Sequence, residues 1–235
     1  ALNANGVTIS SFFNLPSRPL LPNEPLFHLN INNVKIDVFR NLDILIIDEI
    51  SMVRCDVFTT IDRILKNYRN NSNPFGGVQV VIVGDPFQLP PVVNQNQYTI
   101  LREHYKGRFF FSTSSYSSSS FETYELVTVR RQNQNTERSF IDLLNHIRLN
   151  ETTDADVELL SKISNAPKDD NGFIHITTTN ASASAKNDEK LAAIQEKEFT
   201  FKAMTSGVVN MSQMIAEEIL ILKVGAQVMF LANDS

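Results

Sequence analysis

Two largely apolar runs dominate the first half of the chain. Leu42 to Ile47 and Val78 to Val83 are rich in Ile, Leu and Val, which is typical of strands that are covered on both faces. From Asp56 onward, apolar residues recur at helical spacing up to an Asn-rich stretch that ends the pattern. A strand, a helix and a second strand in this order form a crossover unit. The pattern therefore predicts an α/β fold with a parallel sheet.

The remaining pattern predicts smaller elements. The proline-rich segment 15–25 is expected to be a loop, and the serine tract Ser112 to Ser120 a surface connection with too little apolar content for a core. Short apolar runs predict strands over 121–129 and 173–177, and two strands around a tight Lys-Val-Gly turn within 219–231. Apolar spacing predicts helices from Phe140 to Ile147, with Arg138 and Arg148 on the polar side, and from Asp188 to Glu198.

Composition narrows the class of protein without naming a function. A chain of 235 residues that is 42% hydrophobic can form one large domain or two modest ones. The net charge of -5 argues against a protein that coats nucleic acid through its overall charge. A single cysteine excludes an internal disulfide framework and favours an intracellular location, and every apolar run is shorter than the roughly 20 residues of a membrane span. Since the first residue is not Met, we expect the chain to begin inside a longer gene product.

Two adjacent acids, Asp48 and Glu49, follow the first predicted strand. Side chains at the carboxyl end of a parallel strand point to the crevice in which α/β proteins bind ligands. Neighbouring carboxylates repel each other unless a cation or hydrogen-bond donors offset the charge. In one interpretation Asp48 holds the Mg²⁺ of a nucleoside triphosphate and Glu49 orients or deprotonates the attacking water. In the other, one acid caps the next helix and the second is merely solvated.

The second predicted strand ends in Gly84, Asp85 and Gln88, within GDPFQLPPV. Glycine permits a tight turn, the carboxylate supplies an acceptor, and the amide can bond a phosphate or its water. An amide in that place responds to the presence of a γ-phosphate. Alone, this stretch would be interpreted as a proline-stiffened loop, but the acid pair on the neighbouring strand favours a nucleotide site.

Taken in order, these stretches resemble the Pif-type and RecD-like helicases of superfamily I. NANGVTISSFF resembles motif Ia, DEISMV motif II, GDPFQLPPV motif III, and TVRRQNQNTERSFIDLLNHIR motif IV. ITTTNASASAKNDEKL and LKVGAQVMFLAND resemble segments that open the second motor domain. The resemblance implies a RecA-like parallel-sheet motor domain over residues 1–126 and the start of a second RecA-like domain over 127–235, incomplete at the N-terminus and the C-terminus respectively.

The resemblance also implies an activity and a set of catalytic residues. Such helicases hydrolyse ATP with Mg²⁺ and move 5' to 3' on single-stranded DNA, in repair, recombination or genome and telomere maintenance. Asp48 would be the magnesium ligand, Glu49 the water-activating acid, and Asp85 and Gln88 part of the nucleotide site, with Gln88 sensing the γ-phosphate. Arg131 would be an arginine finger, since a guanidinium stabilises charge that grows on the phosphate. Arg130 stays the alternative finger.

Motif Ia of the family contacts DNA, which makes Thr8, Ser11 and Phe12 the expected DNA-binding residues. Ser10 stands where the family has His, and core packing of Phe12 or Phe13 is the alternative to base stacking. The expected partners are single-stranded DNA and DNA junctions, with the protein acting as a monomer. Its compartment would be the cytoplasm or nucleoid of a bacterium, or the nucleus or mitochondrion of a eukaryote.

One family signature does not occur in the sequence. None of the 235 residues form a G-x-x-x-x-G-K-[ST] phosphate loop, so we expect that loop upstream of Ala1 and motifs V and VI downstream. By itself the chain is then expected to hydrolyse little ATP. The alternative is a truncated or degenerate relative that binds nucleic acid or a partner without hydrolysis. A different phosphate-loop ATPase that shares only the acid pair is disfavoured by GDPFQLPPV.

Overall fold

The structure is a computed structural model that describes residues 6–133, 137–165, 173–204 and 217–229. The chain divides into two compact units, Ala1–Asn165 and Ala166–Ser235. This division concerns packing alone, and the boundary between two motor domains at residues 126 and 127 stays a prediction.

The first unit contains most of the secondary structure. Its helices and strands are α1 (Ile9–Phe13), α2 (Asn33–Arg40), β1 (Ile44–Ile47), α3 (Cys55–Arg69), β2 (Gln79–Ile82), α4 (Gln95–His104), α5 (Ser114–Ser117), α6 (Arg138–Leu149) and α7 (Asp154–Ser164). Short 3-10 turns lie at Leu26–Leu29, Ile50–Met52, Pro74–Gly77 and Phe110–Ser112. The second unit contains α8 (Asn180–Ala193), β3 (Glu198–Lys202) and β4 (Ile219–Lys223).

The strands β1 and β2 form a parallel pair in which Ile44 lies opposite Gln79 and Ile47 opposite Ile82. Helix α3 is the crossover between them and buries an apolar face that includes Phe58, Ile61, Ile64 and Leu65. The predicted strand, helix and strand are therefore confirmed, and so is the α/β class. Because the two strands are parallel, their carboxyl ends lie at the same edge.

The prediction that both faces of these strands are covered is wrong for the described residues. Ile47 is buried on the core side, whereas Ile44, Ile46 and Val81 are 51%, 66% and 39% exposed on the other side. An apolar run indicates that a strand can be buried on both faces. Whether both faces are buried depends on other helices or strands that pack against them. None of the elements that the structure describes buries this second face.

The serine tract is only in part the surface connection that we predicted: Ser114, Ser117, Ser118 and Ser120 are exposed. Thr113 and Ser115 are each 4% exposed, and Ser115 Oγ donates to a carboxylate oxygen of Asp62 on α3 at 2.8 Å. The ring of Tyr116 packs edge-on against Phe110, with 5.4 Å between the centroids. Hydroxyl groups enter the core here because a buried acceptor is available to them.

Other predictions of secondary structure were correct in part. Segment 15–25 is a loop, and helices α3 and α6 lie where the spacing predicted them. Residues 121–129 and 173–177 form no strand; most of their side chains are exposed and no ladder pairs them. The helix expected over 188–198 is α8, which begins at Asn180 and ends at Ala193.

The turn predicted within 219–231 also differs. β4 pairs antiparallel with β3, not with the residues that follow Gly225, which has a φ of +87° in the turn. Residues 226–229 are not in a strand, and the last two residues of the predicted segment lie outside the described residues. β3 was missed because the alternation in EFTFK is too short to identify a strand by itself.

Candidate functional site

The carboxyl ends of β1 and β2 bring the two polar motifs together. The Val83 amide donates to the Ile47 carbonyl at 2.8 Å and the Ile50 amide to the Val83 carbonyl at 3.0 Å, so the ladder continues past both strands. Gly84 then lies against the backbone of the acid motif: a Cβ atom at Gly84 would be 2.9 Å from the Ile50 nitrogen and 3.5 Å from the Glu49 carbonyl carbon. The stretches DEIS and GDPFQLPP are therefore direct neighbours, as predicted for strand ends in a parallel sheet.

The acid pair is exposed at this edge, and it does not cap a helix. Asp48 Oδ1 accepts from the Glu49 amide at 2.9 Å. Glu49 has a left-handed backbone, with φ 53° and ψ 45°, and leads into the turn Ile50–Met52 without a side-chain cap bond. The cap position of α3 is Arg54, which makes no cap bond either. The capping interpretation of the acid pair thus has no support in the geometry.

The chemistry of these two side chains fits a magnesium ion that is bound together with phosphates. Mg²⁺ prefers oxygen ligands and in nucleotide sites takes only one or two carboxylates from the protein. Asp48 and Glu49 are exposed at a strand edge, where such a carboxylate can meet a phosphate-bound ion. Across the described ranges, no group of three or more His, Cys, Asp or Glu side chains could hold a metal ion by itself.

The loop after β2 is ordered by one carboxylate. Asp85 Oδ1 accepts from the Phe87 amide at 3.0 Å, and the Asp85 carbonyl accepts from the Gln88 amide at 3.0 Å. Burial acts to raise the pKa of Asp85, but the hydrogen bonds from the Phe87 amide, Arg148 and Gln88 hold that pKa below its usual value. The carboxylate therefore stays charged at neutral pH, and it stabilises the exposed turn that carries Gln88.

Arg148 contacts this loop, which the sequence did not predict. Its Nη1 lies 3.1 Å from Asp85 Oδ2, and its guanidinium carbon is 5.1 Å from the centroid of the Phe87 ring. The helical pattern placed Arg148 only on the polar side of α6. A partner 63 positions away in the sequence leaves no signal in spacing or composition.

The predicted arginine finger is not bonded to the candidate site in the described part of the chain. Arg130 and Arg131 are exposed in the irregular segment before α6. Among the residues that the structure describes, no hydrogen bond or ion pair joins Arg131 to Asp48, Glu49 or Gln88. The choice between Arg130 and Arg131 stays open.

The predicted DNA-binding residues lie on and beside α1. Thr8 caps this helix through its side-chain oxygen, which accepts from the Ser11 amide at 3.2 Å, and both residues are exposed. The Lys35 ammonium donates to the Ser11 carbonyl, which adds a positive charge that no local sequence signal indicated.

The two phenylalanines of this segment pack together. Phe13 is 1% exposed, which confirms core packing for one of them. Phe12 is half-buried, with ring centroids 4.9 Å from Phe13 and 5.5 Å from Phe39. A contact between Phe12 and DNA stays a prediction.

Solved structures that are similar to this chain include those of Pif1 helicases. Bacteroides Pif1 bound to single-stranded DNA is 38% identical, with a TM-score of 0.85, and the match covers 100% of this chain and 54% of that one. Bacteroides Pif1 in complex with ADP-AlF3 and single-stranded DNA is 37% identical, with a TM-score of 0.81 and the same two coverages.

Sequence comparison gives the family. The model of the PIF1-like helicase family matches residues 1–158. The ATP-dependent DNA helicase PIF1 of Emericella nidulans is 32% identical over 248 residues, 99% of this chain and 31% of that protein; human PIF1 is 32% identical over 201 residues, 83% of this chain and 30% of that protein. The chain belongs to the PIF1-like helicase family.

The chain spans about a third of the length of these curated relatives and about half of the solved chains. Within the described parts of the chain, no helix is long and apolar enough to cross a membrane.

Proposed function

We propose that this chain is part of the motor of an ATP-dependent DNA helicase that moves 5' to 3' on single-stranded DNA and unwinds duplexes. The observation that carries the proposal is the contact between the two strand ends, where Gly84 lies against the Glu49–Ile50 backbone. Acid and amide motifs at one edge of a parallel sheet are the arrangement that nucleotide hydrolysis needs. Family membership and the ADP-AlF3 and DNA complexes of similar proteins support it.

Each residue of the site has a proposed role in hydrolysis. Asp48 binds the Mg²⁺ of ATP, whose charge offsets the repulsion between the phosphates and the acids. Glu49 orients the attacking water and accepts its proton, and Gln88 bonds the γ-phosphate or that water. Arg131 supplies positive charge from the segment that precedes α6, with Arg130 as the alternative.

The proposed motor has two RecA-like domains, the first over residues 1–126 and the second beginning at 127. Single-stranded DNA runs past Thr8, Ser11 and Phe12, with hydroxyl groups on phosphates. Lys35 beside Ser11 adds an attraction to the DNA backbone. The substrates are single strands and junctions, and the active form is a monomer.

The test is ATP turnover of the protein as encoded, with and without single-stranded DNA. We expect DNA to stimulate turnover and Glu49→Gln to lower the stimulated kcat by about a hundredfold or more, since general base catalysis contributes about that much. ATP binding should persist, because the amide has nearly the same shape.

Glu103→Gln is the matched control, since Glu103 is an exposed glutamate near the end of α4 and belongs to neither the acid motif nor the loop that carries Gln88. Its turnover should equal that of the unaltered protein. If Glu49→Gln hydrolyses ATP as fast as this control does, Glu49 has no role in hydrolysis and the proposed motor site is wrong.

A further inference from the structure

Arg148 links α6 to the loop that follows β2. It lies in the last turn of α6, two residues before Asn150, whose left-handed backbone ends the helix. The guanidinium makes two different contacts: an ion pair with Asp85 Oδ2 at 3.1 Å, and a cation–π contact with Phe87, whose ring centroid is 5.1 Å from the guanidinium carbon. A planar guanidinium is better suited than an ammonium group to make both contacts at once, because its edge donates to the carboxylate while its face lies over the ring.

The carboxylate that binds Arg148 also sets the turn that carries Gln88. While Asp85 Oδ2 meets the arginine, Oδ1 accepts from the Phe87 amide at 3.0 Å. The backbone amide of Gln88 donates to the Asp85 carbonyl, also at 3.0 Å. A displacement of Arg148 therefore acts on the turn through Asp85 and through the Phe87 ring.

We propose that Arg148 is a positioning residue for the loop from Gly84 to Gln88, here called the phosphate-sensing loop. Through this contact Arg148 couples the orientation of α6 to the placement of Gln88. This inference rests on the proposed function, in which Gln88 of this loop bonds the γ-phosphate of ATP. The Arg148 contact makes α6 and the loop after β2 move together when the γ-phosphate leaves. Because α6 follows the segment that carries Arg130 and Arg131, this movement also reaches the proposed arginine finger. The coupling is reciprocal: a ligand that shifts the loop shifts the helix, and the reverse.

The contact is too exposed to act mainly through stability. The side chains of Arg148 and Asp85 are 37% and 23% exposed, and ion pairs at such positions add little to folding. A loss of turnover without a matching loss of thermal stability is therefore the signature of positioning.

The experiment measures DNA-stimulated ATP turnover and Tm in the protein as encoded. We expect Arg148→Ala to lower kcat about tenfold, since displacing a reacting group by about 1 Å costs up to about a hundredfold, while KM for ATP changes less than about threefold. Arg148→Lys should recover part of the loss. In the double variant with Asp85→Asn, kcat should fall no further than in the more affected single variant, because both changes break one contact.

Arg138→Ala is the matched control on the same helix. The side chain of Arg138 is 83% exposed and forms an ion pair with Asp142, at 3.8 Å. Its removal should leave kcat and KM unchanged.

Two results would overturn the inference: kcat of Arg148→Ala within twofold of the unaltered protein, or losses that simply add in the double variant. If Arg148→Ala fails to fold, Arg148→Lys decides, and full turnover in that variant overturns the inference. Glu49→Gln in the same assay separates the two proposals. An active Glu49→Gln variant refutes the motor site itself, whereas an inactive one beside an active Arg148→Ala variant refutes only the coupling.

Discussion

Single residues at the strand ends determine how closely the acid and amide motifs approach. Gly84 is where the two backbones meet, and the Ile50 nitrogen and Cγ2 lie 2.9 and 3.0 Å from the place of an added Cβ atom. Contacts this short are almost never seen for a real Cβ, and a backbone nitrogen cannot move aside as a flexible side chain does. The sequence indicated a tight turn at Gly84, but only the structure shows that its neighbour is the acid motif.

Gly84→Ala should therefore push the phosphate-sensing loop away from Glu49. We expect a loss of DNA-stimulated kcat of about tenfold or more, together with a loss of about 1–3 kcal/mol in unfolding free energy from overpacking. Turnover and chemical denaturation measure the two effects.

Gly107→Ala is the control for this substitution. The nearest atom to its added Cβ would be Ser112 Oγ at 2.9 Å, a hydroxyl group that can rotate away. Equal effects of the two substitutions would mean that the close approach at Gly84 is unimportant.

At the scale of elements, the sequence predicts what depends on local pattern and fails where a distant partner decides. The strands β1 and β2, the crossover α3 and the helix α6 were predicted because their own apolar spacing determines them. The burial of Ser115 was missed because it depends on Asp62, which is 53 positions away. The prediction of a strand over 121–129 was wrong because a strand also needs a partner. None of the described strands pairs with this segment.

The same division holds at the candidate site. The strand ends that carry Asp48 and Gln88 were predictable because parallel topology determines where they lie. The contacts of Arg148 and Lys35 were not, since they join segments that only tertiary packing brings together.

Asp62 holds three elements of the first unit together. Its carboxylate accepts from the Phe75 amide at 2.7 Å, from Ser115 Oγ at 2.8 Å and from Lys66 Nζ at 2.8 Å. Asp62→Asn replaces one acceptor oxygen by a donor, which opposes the groups it faces. We expect the free energy of unfolding to fall by about 2 kcal/mol, the usual cost of a buried polar group left unpaired. Denaturant unfolding followed by far-ultraviolet circular dichroism measures it.

The control for this substitution is Asp37→Asn on α2. The Asp37 side chain is 70% exposed and pairs with Arg40 at 3.5 Å, so its loss should change the free energy of unfolding by less than about 0.5 kcal/mol. A loss at Asp62 no larger than that at Asp37 would show that the three contacts contribute little.

On the scale of the whole molecule, the packed core and the candidate site are distinguished by burial. The packed core surrounds α3 and contains Cys55, which is 0% exposed, whereas Asp48, Glu49 and Gln88 lie exposed at the edge of the sheet. The net charge of -5 does not attract DNA by itself, so the proposed grip depends on local groups such as Lys35.

Cys55 can therefore report global unfolding. A cysteine at a helix N-terminus usually has a lowered pKa, but here burial, reinforced by the charge of Asp56, raises the pKa to about 12. At pH 8 the native thiol should resist alkylation, with a rate that rises as pH increases toward that pKa, and it should react rapidly in denaturant. Peptide mapping by mass spectrometry after timed iodoacetamide treatment measures it. Native alkylation at the rate of a free cysteine would contradict the burial of this helix start.

The left-handed backbone at Glu49 has an evolutionary consequence. A glutamate in this conformation costs about 1 kcal/mol or more, whereas glycine would adopt it freely. Selection for thermal robustness alone would move this codon toward glycine. On the proposed function, the glutamate stands there because its carboxylate is needed for turnover, and its backbone conformation costs stability.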